Sequence, residues 1–144
     1  MRVQRIDTPC FGNLTGRTFE FGEGVTIVLG PNEAGKTTFH TAFETLLYGF
    51  DPANREQHPL AAWNLEVTLH LEGVLEPDHG DPVRVERLLQ SAPTFRAGVP
   101  GEPFESKRER SNAPLSEIQA IPRALYRSVY SLAAGETLSY KDDV

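Results

Sequence analysis

The octapeptide Gly-Pro-Asn-Glu-Ala-Gly-Lys-Thr at residues 30–37 constrains the fold of this chain more than any other segment. It matches the pattern G-x-x-x-x-G-K-[ST], in which a glycine-rich turn points successive backbone N–H groups into a phosphate-sized hollow at the start of a helix. An apolar run, Val25–Leu29, precedes the pattern and predicts a strand buried on both faces of a sheet. Residues 36–50 carry apolar side chains at helical spacing and predict a helix that ends at Gly49. The segment therefore predicts a strand, a turn and a helix that bind a nucleoside triphosphate.

The predicted binding loop gives a role to each of its polar groups. The N–H groups of residues 33–38 would hold the phosphates, and Lys36 would reach the β and γ phosphates. The Thr37 hydroxyl would ligate Mg²⁺, and Thr38 can offer its hydroxyl and amide to an α phosphate. The predicted nucleotide-binding residues are Gly30, Pro31, Asn32, Glu33, Ala34, Gly35, Lys36, Thr37 and Thr38.

Composition excludes several classes of protein. Of the 144 residues, 39% are hydrophobic and 24% are charged, which argues against disorder and predicts a single domain. The formal net charge of -6 argues against a generally basic nucleic-acid binder. Cys10 has no second cysteine to pair with and the histidines lack metal-ligand spacing, so neither a disulfide scaffold nor a zinc site is predicted. No apolar run approaches the roughly 20 residues of a membrane span and no signal-peptide pattern occurs, so we expect a cytoplasmic protein without membrane contact.

The segments on either side of the helix carry strand signals. Two short strands are predicted at Met1–Asp7 and Thr18–Phe21, before the apolar run. Apolar and polar residues alternate over residues 64–72, which predicts a half-buried antiparallel strand. A strong turn at 76–82 returns the chain as a partner strand at Val83–Leu89.

The last third of the chain predicts a long loop and one helix. Prolines, glycines and charges over residues 91–114 indicate the loop, and a helix is predicted over Ala120–Tyr130 with Leu125 and Val129 facing inward. The predicted fold class is α/β, with a mixed sheet and an antiparallel β-hairpin subdomain. We predict one domain over residues 1–144, divided into strands, binding loop and first helix (1–50), hairpin (64–90), long loop (91–114) and terminal helix segment (115–132).

Several stretches resemble the N-terminal part of SMC-like ATPases of the ABC superfamily. The residues at 30–38 are characteristic of that group, and Phe11–Gly12 and Phe19–Gly24 precede them as they do in the group. These are ATPases of the SbcC, RecF, RecN and YhaN type, often labelled AAA-family ATPases, which act in DNA repair and chromosome maintenance. The looser similarities are Leu46–Gly49, Val85–Arg87 and Leu125–Tyr130.

The resemblance implies a P-loop NTPase fold and the ATP- and Mg²⁺-binding N-terminal lobe of an ATPase head. In this family a C-terminal lobe carries the signature motif, the Walker B acids and a histidine switch, and two heads enclose two ATP molecules. This chain has no apolar run that ends in Asp-Glu, Ser131–Glu136 echoes the signature only faintly, and Ala133 and Ala134 stand where the family's Q-loop glutamine would be. The implied partners are a C-terminal ATPase lobe and a second head. No catalytic residue is assigned in this chain, and we expect negligible turnover from it alone.

Two other functions stay open from the residues alone. A stand-alone P-loop phosphotransferase would use the arginine-bearing loop 91–114 as a lid, although no Asp follows a buried strand. A non-catalytic orphan lobe would serve only as an interaction module that docks with a partner.

Three groups of basic residues raise DNA, phosphates or a partner head as ligands, and each group is also typical of a solvated surface. Arg123 and Arg127 share a predicted helix face, and Lys107–Arg110 form a charge run that an acid interrupts. Three arginines precede the binding loop, where the resembling family uses basic groups near the base and the phosphates: Arg2, Arg5 and Arg17.

Overall fold

The computed structural model describes residues 1–31, 35–61, 66–104 and 113–130, which form a five-stranded sheet with one long helix packed on it. No helix within these ranges is long and apolar enough to cross a membrane. The strands are β1 (Arg2–Cys10), β2 (Arg17–Glu20), β3 (Leu69–Glu76), β4 (Val83–Leu89) and β5 (Pro93–Gly98). The helices are α1 (Lys36–Tyr48), α2 (Ser116–Gln119) and α3 (Arg123–Leu125), with a 3-10 turn at Gly12–Leu14 and a π-helical turn at Tyr126–Tyr130.

The strands pair in the order β2-β1-β3-β4-β5, and each neighbouring pair in the described sheet is antiparallel. The central strand β3 alternates strictly: Leu69, Leu71 and Leu75 are fully buried on one face, and His70 and Glu72 are half-buried on the other. This pattern is what a strand with one face on an apolar core requires. The prediction of a half-buried antiparallel strand in this region is therefore confirmed. The strand begins at Leu69 and continues to Glu76, where the predicted turn begins.

The helix α1 forms as predicted because its apolar residues recur at helical spacing. Its buried face includes Ala42, Leu46 and Leu47. Gly49 ends the helix with φ 91°, and its N–H donates to the Thr45 carbonyl oxygen at 2.8 Å. Glycine is favoured at this position because the backbone lies in a region that L side chains rarely adopt.

A glycine in β3, Gly73, lets α1 approach the sheet closely. A Cβ at Gly73 would lie 2.5 Å from Leu46 Cδ2 and 2.9 Å from the backbone carbonyl oxygen of Arg5. The glycine therefore leaves the space that Leu46 of α1 occupies, and a larger residue would push the helix away from the sheet.

The end of α1 is held by a buried arginine from β4. Arg87 is 1% exposed, and its guanidinium donates to the carbonyl oxygens of Leu46 at 2.8 Å and Leu47 at 3.1 Å. Burial, and to a smaller extent the charge of Arg123, lowers the pKa of Arg87 to about 9, which leaves it a cation at neutral pH. A cation at this end of a helix is favourable because the last carbonyl groups carry partial negative charge.

The buried strand predicted at Val25–Leu29 is wrong for the described structure. These residues lie in no strand, and Val25, Ile27 and Leu29 are 92%, 75% and 87% exposed. A strand buried on both faces needs a neighbouring strand for its backbone groups and a packed layer on each side. The described ranges provide neither for this run. The predicted mixed sheet is also wrong for the described structure. The run at 25–29 adds no strand to the sheet, and every pairing in the described sheet is antiparallel.

Other predictions change in the second half of the chain. The loop predicted over 91–114 contains β5, whose end residues Pro93 and Gly98 gave it the composition of a loop. The predicted terminal helix is divided into α2 and α3 at Pro122, because proline has no N–H to continue the helical hydrogen bonds. Leu125, which was predicted to face inward, is 46% exposed. The hairpin strands β3 and β4 belong to the same sheet as β1 and do not form a separate sheet. Predictions that lie outside the described residues concern Lys107–Arg110, Ser131–Glu136 and the side chain of Val129.

Gly73→Ala tests the close contact between α1 and the sheet. The added Cβ would meet a backbone carbonyl that cannot move without disturbing β1, so we expect the free energy of unfolding to fall by about 1–3 kcal/mol. Urea denaturation followed by circular dichroism measures this change. Gly22→Ala is the matched control, because nothing lies within 4 Å of its added Cβ. Equal stability of the two variants would contradict the contact.

Candidate phosphate-binding site

The predicted binding loop ends in a left-handed glycine at the start of α1. Gly35 has φ 94°, a conformation that favours glycine. A Cβ at Gly35 would lie 2.8 Å from Leu14 Cδ2 and 2.9 Å from Asn13 Oδ1, so the turn packs directly against the connection between β1 and β2. Both backbone conformation and space therefore require glycine at this position.

The polar residues of the predicted loop lie around this helix start. Lys36 and Thr37 are exposed in the first turn of α1, and Thr38 is half-buried. At the other end of the predicted loop Gly30 is half-buried and Pro31 is exposed, and residues 32–34 lie outside the described ranges. The first N–H groups of a helix have no partner within the helix and attract negative charge. The helix start can therefore receive an anion, and the binding roles of these residues stay a prediction.

A cavity of about 250 Å³ opens beside the start of α1. Two of its lining residues, Arg17 and Lys36, are cations, and none of the described residues that line it is acidic. This chemistry suits an anionic ligand. The cavity is lined by Asn13, Leu14, Arg17, Phe19, Val28, Leu29, Gly35, Lys36 and Phe39.

Aromatic contacts hold the first turn of α1 against the edge of the sheet. The ring centroid of Phe39 lies 4.9 Å from that of Phe19 and 6.0 Å from that of Phe21. The N–H of Phe39 also donates to the carbonyl oxygen of Gly35 at 2.8 Å. The pair with Phe19 is edge-on and the pair with Phe21 is tilted, and both arrangements are favourable at these distances, so β2 and the residue after it hold the helix start in place.

A buried carboxylate ties the terminal segment to the same helix. Glu44 of α1 is 8% exposed and accepts hydrogen bonds from Arg123 Nε at 2.6 Å and Arg127 Nε at 2.8 Å. Arg127 also donates to Asp51 at 3.0 Å. Burial by itself would raise the pKa of Glu44, but hydrogen bonds from Arg127 and Arg123 outweigh it and hold that pKa below its ordinary value. The two arginines share one face, as predicted, and that face meets a carboxylate of the same chain.

The sheet face that carries His70 and Glu72 also holds a charge network. Pairing of β3 with β4 places Glu72 opposite Glu86, and His70 Nε2 lies 3.1 Å from Glu72 Oε1 and 3.4 Å from Glu86 Oε2. These three side chains offer possible metal ligand atoms within 4.8 Å of one another, which the histidine spacing in the sequence does not indicate. Arg84 binds Glu72 at 2.8 Å, and Arg96 binds Glu86 through Nε at 2.7 Å. Since an arginine pairs with each carboxylate, we interpret the cluster as a set of ion pairs that covers this face of the sheet.

Comparisons with known proteins give the family. The family model described as an AAA domain matches residues 1–139. The chain belongs to the AAA-domain family. AAA domains are P-loop NTPases that generally use ATP with Mg²⁺, so the predicted class is confirmed at that level.

A curated relative of this AAA-domain chain is the uncharacterized protein YhaN of Bacillus subtilis (strain 168). The two are 32% identical over 134 residues, an alignment that covers 91% of this chain. The same alignment covers 13% of YhaN, so the chain spans a small part of the relative's length.

Sequence reasoning located the helix start of this AAA domain but missed residues that surround it. Asn13 and Leu14 support Gly35, although only the turn signal near them was visible in the sequence. Glu44 was missed because the arginines that bind it lie far along the chain. Its signal in the sequence was that Glu44 is the single acidic residue of α1. The charge network of the sheet was missed because it depends on the register of β3 and β4.

Glu44→Gln tests the tie between α1 and the terminal segment. We expect the variant to lose about 1–3 kcal/mol of unfolding free energy at pH 7, because two arginines lose their charged partner. The pKa of Glu44 is lowered in the folded chain. The stabilisation that its charge adds to the free energy of unfolding is therefore complete above the ordinary glutamate pKa of about 4.3, and it is lost as the pH falls through the lower pKa of the folded state. The stability difference between wild type and variant should therefore shrink below about pH 4. Denaturant titrations at several pH values measure it, with the exposed Glu20→Gln as control, and a difference independent of pH would contradict the ion pair.

Proposed function

We propose that this chain is the ATP- and Mg²⁺-binding N-terminal lobe of an SMC-like ATPase head. The observation that carries the proposal is the cavity at the start of α1, which Lys36 and Arg17 line and to which no described acidic residue contributes. A left-handed glycine precedes this 13-residue helix, as a turn around a phosphate group requires. The octapeptide at residues 30–37 supplies the remaining elements of the binding pattern.

In the proposed complex each loop residue keeps its predicted role. The N–H groups of residues 33–38 hold the phosphates, and Lys36 contacts the β and γ phosphates. The Thr37 hydroxyl ligates Mg²⁺, which screens the phosphate charge when it is bound. The Thr41 hydroxyl donates a hydrogen bond to the Thr37 carbonyl oxygen at 3.1 Å, so this bond does not involve the Thr37 hydroxyl. Thr38 contacts the α phosphate.

A second lobe would complete the sheet beside the apolar run at Val25–Leu29. The exposure of Val25, Ile27 and Leu29 supports this, because neighbouring exposed apolar residues are typical of a surface that another segment covers. The relative YhaN is much longer than this chain, which is consistent with further segments that could supply the cover. We propose a C-terminal ATPase lobe and a second head as the partners.

Hydrolysis in this proposal depends on acidic groups of the second lobe. No described residue at the cavity could position an attacking water as a base, which also disfavours a stand-alone phosphotransferase. We therefore expect negligible turnover from this chain alone. A role in DNA repair or chromosome maintenance in the cytoplasm, as for the ATPases that the octapeptide resembles, is part of the same proposal, with DNA as a further partner.

Lys36→Ala tests nucleotide binding. We expect Mg-ATP at 100 times its dissociation constant to stabilise the wild-type chain by about 2.7 kcal/mol. The variant should bind roughly 10- to 100-fold more weakly, because it loses a charge-assisted contact to phosphate. Titration with a fluorescent ATP analogue measures both chains, and Arg5→Gln is a control that removes a cation already paired with Asp7. Equal affinity of wild type and Lys36→Ala would refute the site, and no binding by either would favour the orphan interaction module.

Amide hydrogen exchange tests the covering of the apolar run. In this chain the amides of residues 25–29 should exchange rapidly, because they lie in no strand and their side chains are exposed. In full-length YhaN the aligned amides should exchange much more slowly, because a neighbouring lobe would pair with them. Rapid exchange in both proteins would contradict the proposed second lobe at this edge.

A further inference from the structure

Three side chains on the polar face of the sheet converge on one point. His70 and Glu72 lie on β3, and Glu86 lies on β4 directly opposite Glu72. One ring nitrogen and one oxygen of each carboxylate lie within 4.8 Å of one another. The Glu86 side chain is buried, with 8% of its surface exposed, while His70 is 28% exposed. The point of convergence is therefore shielded on the side of Glu86 and reachable from solvent on the side of His70.

The arginines on this face bind only one oxygen of each carboxylate. Arg84 donates from Nη2 to Glu72 Oε2 at 2.8 Å, and Arg96 donates from Nε to Glu86 Oε1 at 2.7 Å. The other two oxygens, Glu72 Oε1 and Glu86 Oε2, lie 3.1 Å and 3.4 Å from His70 Nε2. The ion pairs therefore hold both carboxylates in position and leave the second oxygen of each directed at one imidazole nitrogen.

A single proton on this nitrogen cannot satisfy both oxygens. An imidazole Nε2 carries at most one hydrogen, and here it has hydrogen-bond geometry toward Glu72 Oε1. Glu86 Oε2 accepts no hydrogen bond from the described residues, although more than nine-tenths of the Glu86 side chain is buried. An oxygen without a donor on so buried a carboxylate is unfavourable. A cation in place of the Nε2 proton would contact the nitrogen and both oxygens at once.

We propose that His70, Glu72 and Glu86 bind a divalent transition-metal ion, for which Zn²⁺ is the best match. Zn²⁺ binds imidazole nitrogen and carboxylate oxygen at about 2.0–2.2 Å, and tetrahedral geometry then places neighbouring ligand atoms about 3.3–3.5 Å apart. The distances from His70 Nε2 to the two oxygens lie close to this spacing. Arg84 and Arg96 orient the ligating carboxylates from outside the site, as hydrogen-bond partners do in metal centres. A water molecule can complete the coordination.

The two strands bring these ligands together only when the sheet is folded. His70 and Glu72 share a face of β3 because they lie two residues apart, but Glu86 joins them only through the register of β4. A metal ion that binds the folded chain and not the unfolded one stabilises the fold. The positive charges of Arg84 and Arg96 oppose the ion, so we expect weaker binding than at a zinc site without neighbouring cations. The site is separate from the proposed nucleotide site and does not depend on it.

His70→Gln tests the site with Zn²⁺ alone, in the absence of nucleotide. We expect the wild-type chain to bind Zn²⁺ in a calorimetric titration and to unfold at a higher temperature when Zn²⁺ is present. The variant should bind about 100-fold more weakly, because it loses the nitrogen ligand while both carboxylates keep their arginines. His79→Gln is the matched control, because it removes an exposed histidine from the turn between β3 and β4. Circular dichroism checks that each variant is folded.

Three further measurements separate this site from unspecific binding. Co²⁺ absorbs visible light much more strongly in four-coordinate than in six-coordinate geometry, so wild type with Co²⁺ should show the strong band and His70→Gln should not. Glu72→Gln changes a second ligand and should also weaken Zn²⁺ binding. Cys10→Ser removes the thiol of the residue that pairs with His70 between β1 and β3, and should bind Zn²⁺ like wild type.

Each outcome of these titrations supports the inference or overturns it. Absence of Zn²⁺ binding by the wild-type chain overturns it, and so does equal affinity of wild type and His70→Gln. Binding that is lost in Cys10→Ser and kept in His70→Gln also overturns it, because the thiol would then be the ligand. Weakened binding in both His70→Gln and Glu72→Gln, with His79→Gln and Cys10→Ser unchanged, supports the site. Nucleotide binding is tested separately by Lys36→Ala, so failure of one proposal leaves the other standing.

Discussion

The contact between α1 and the sheet is the interaction on which the rest of this structure depends. It requires Gly73, which leaves room for Leu46, and Arg87, which binds the last carbonyl groups of the helix. Burying an arginine is costly unless its donors are satisfied, and here the partial negative charge of a helix end satisfies them. The interaction sets both the distance and the direction of the helix, and so fixes where its other end can lie.

That other end is where the chemistry is expected. Phe39 packs on Phe19, and Gly35 packs on the connection between β1 and β2, so sheet and helix together shape the cavity. The terminal segment is attached to the same helix through Glu44 and through the Tyr48 hydroxyl, which donates to the Ile121 carbonyl oxygen at 2.9 Å. A single helix thus connects the proposed phosphate site, the sheet and the terminal segment.

Charge is distributed unevenly within a chain whose net charge is -6. On the sheet, acidic and basic side chains neutralise each other in pairs such as Arg84 with Glu72. At the cavity, Arg17 and Lys36 have no such compensation among the described residues. Local potential and not net charge governs which ligand a site attracts, so an acidic chain of the AAA-domain family is compatible with a polyphosphate site.

The sequence alone determined the features that depend on neighbouring residues. These are the octapeptide, the helix after it with its end at Gly49, and the alternation of β3, because backbone conformation and side-chain periodicity are local properties. Tertiary structure decided the features that need a distant partner. The run at 25–29 has the composition of a buried strand, yet without a neighbouring strand in the described chain it stays exposed. The binding of Glu44 by two distant arginines and the position of Arg17 beside Lys36 likewise depend on how the sheet and α1 pack, which no local pattern encodes.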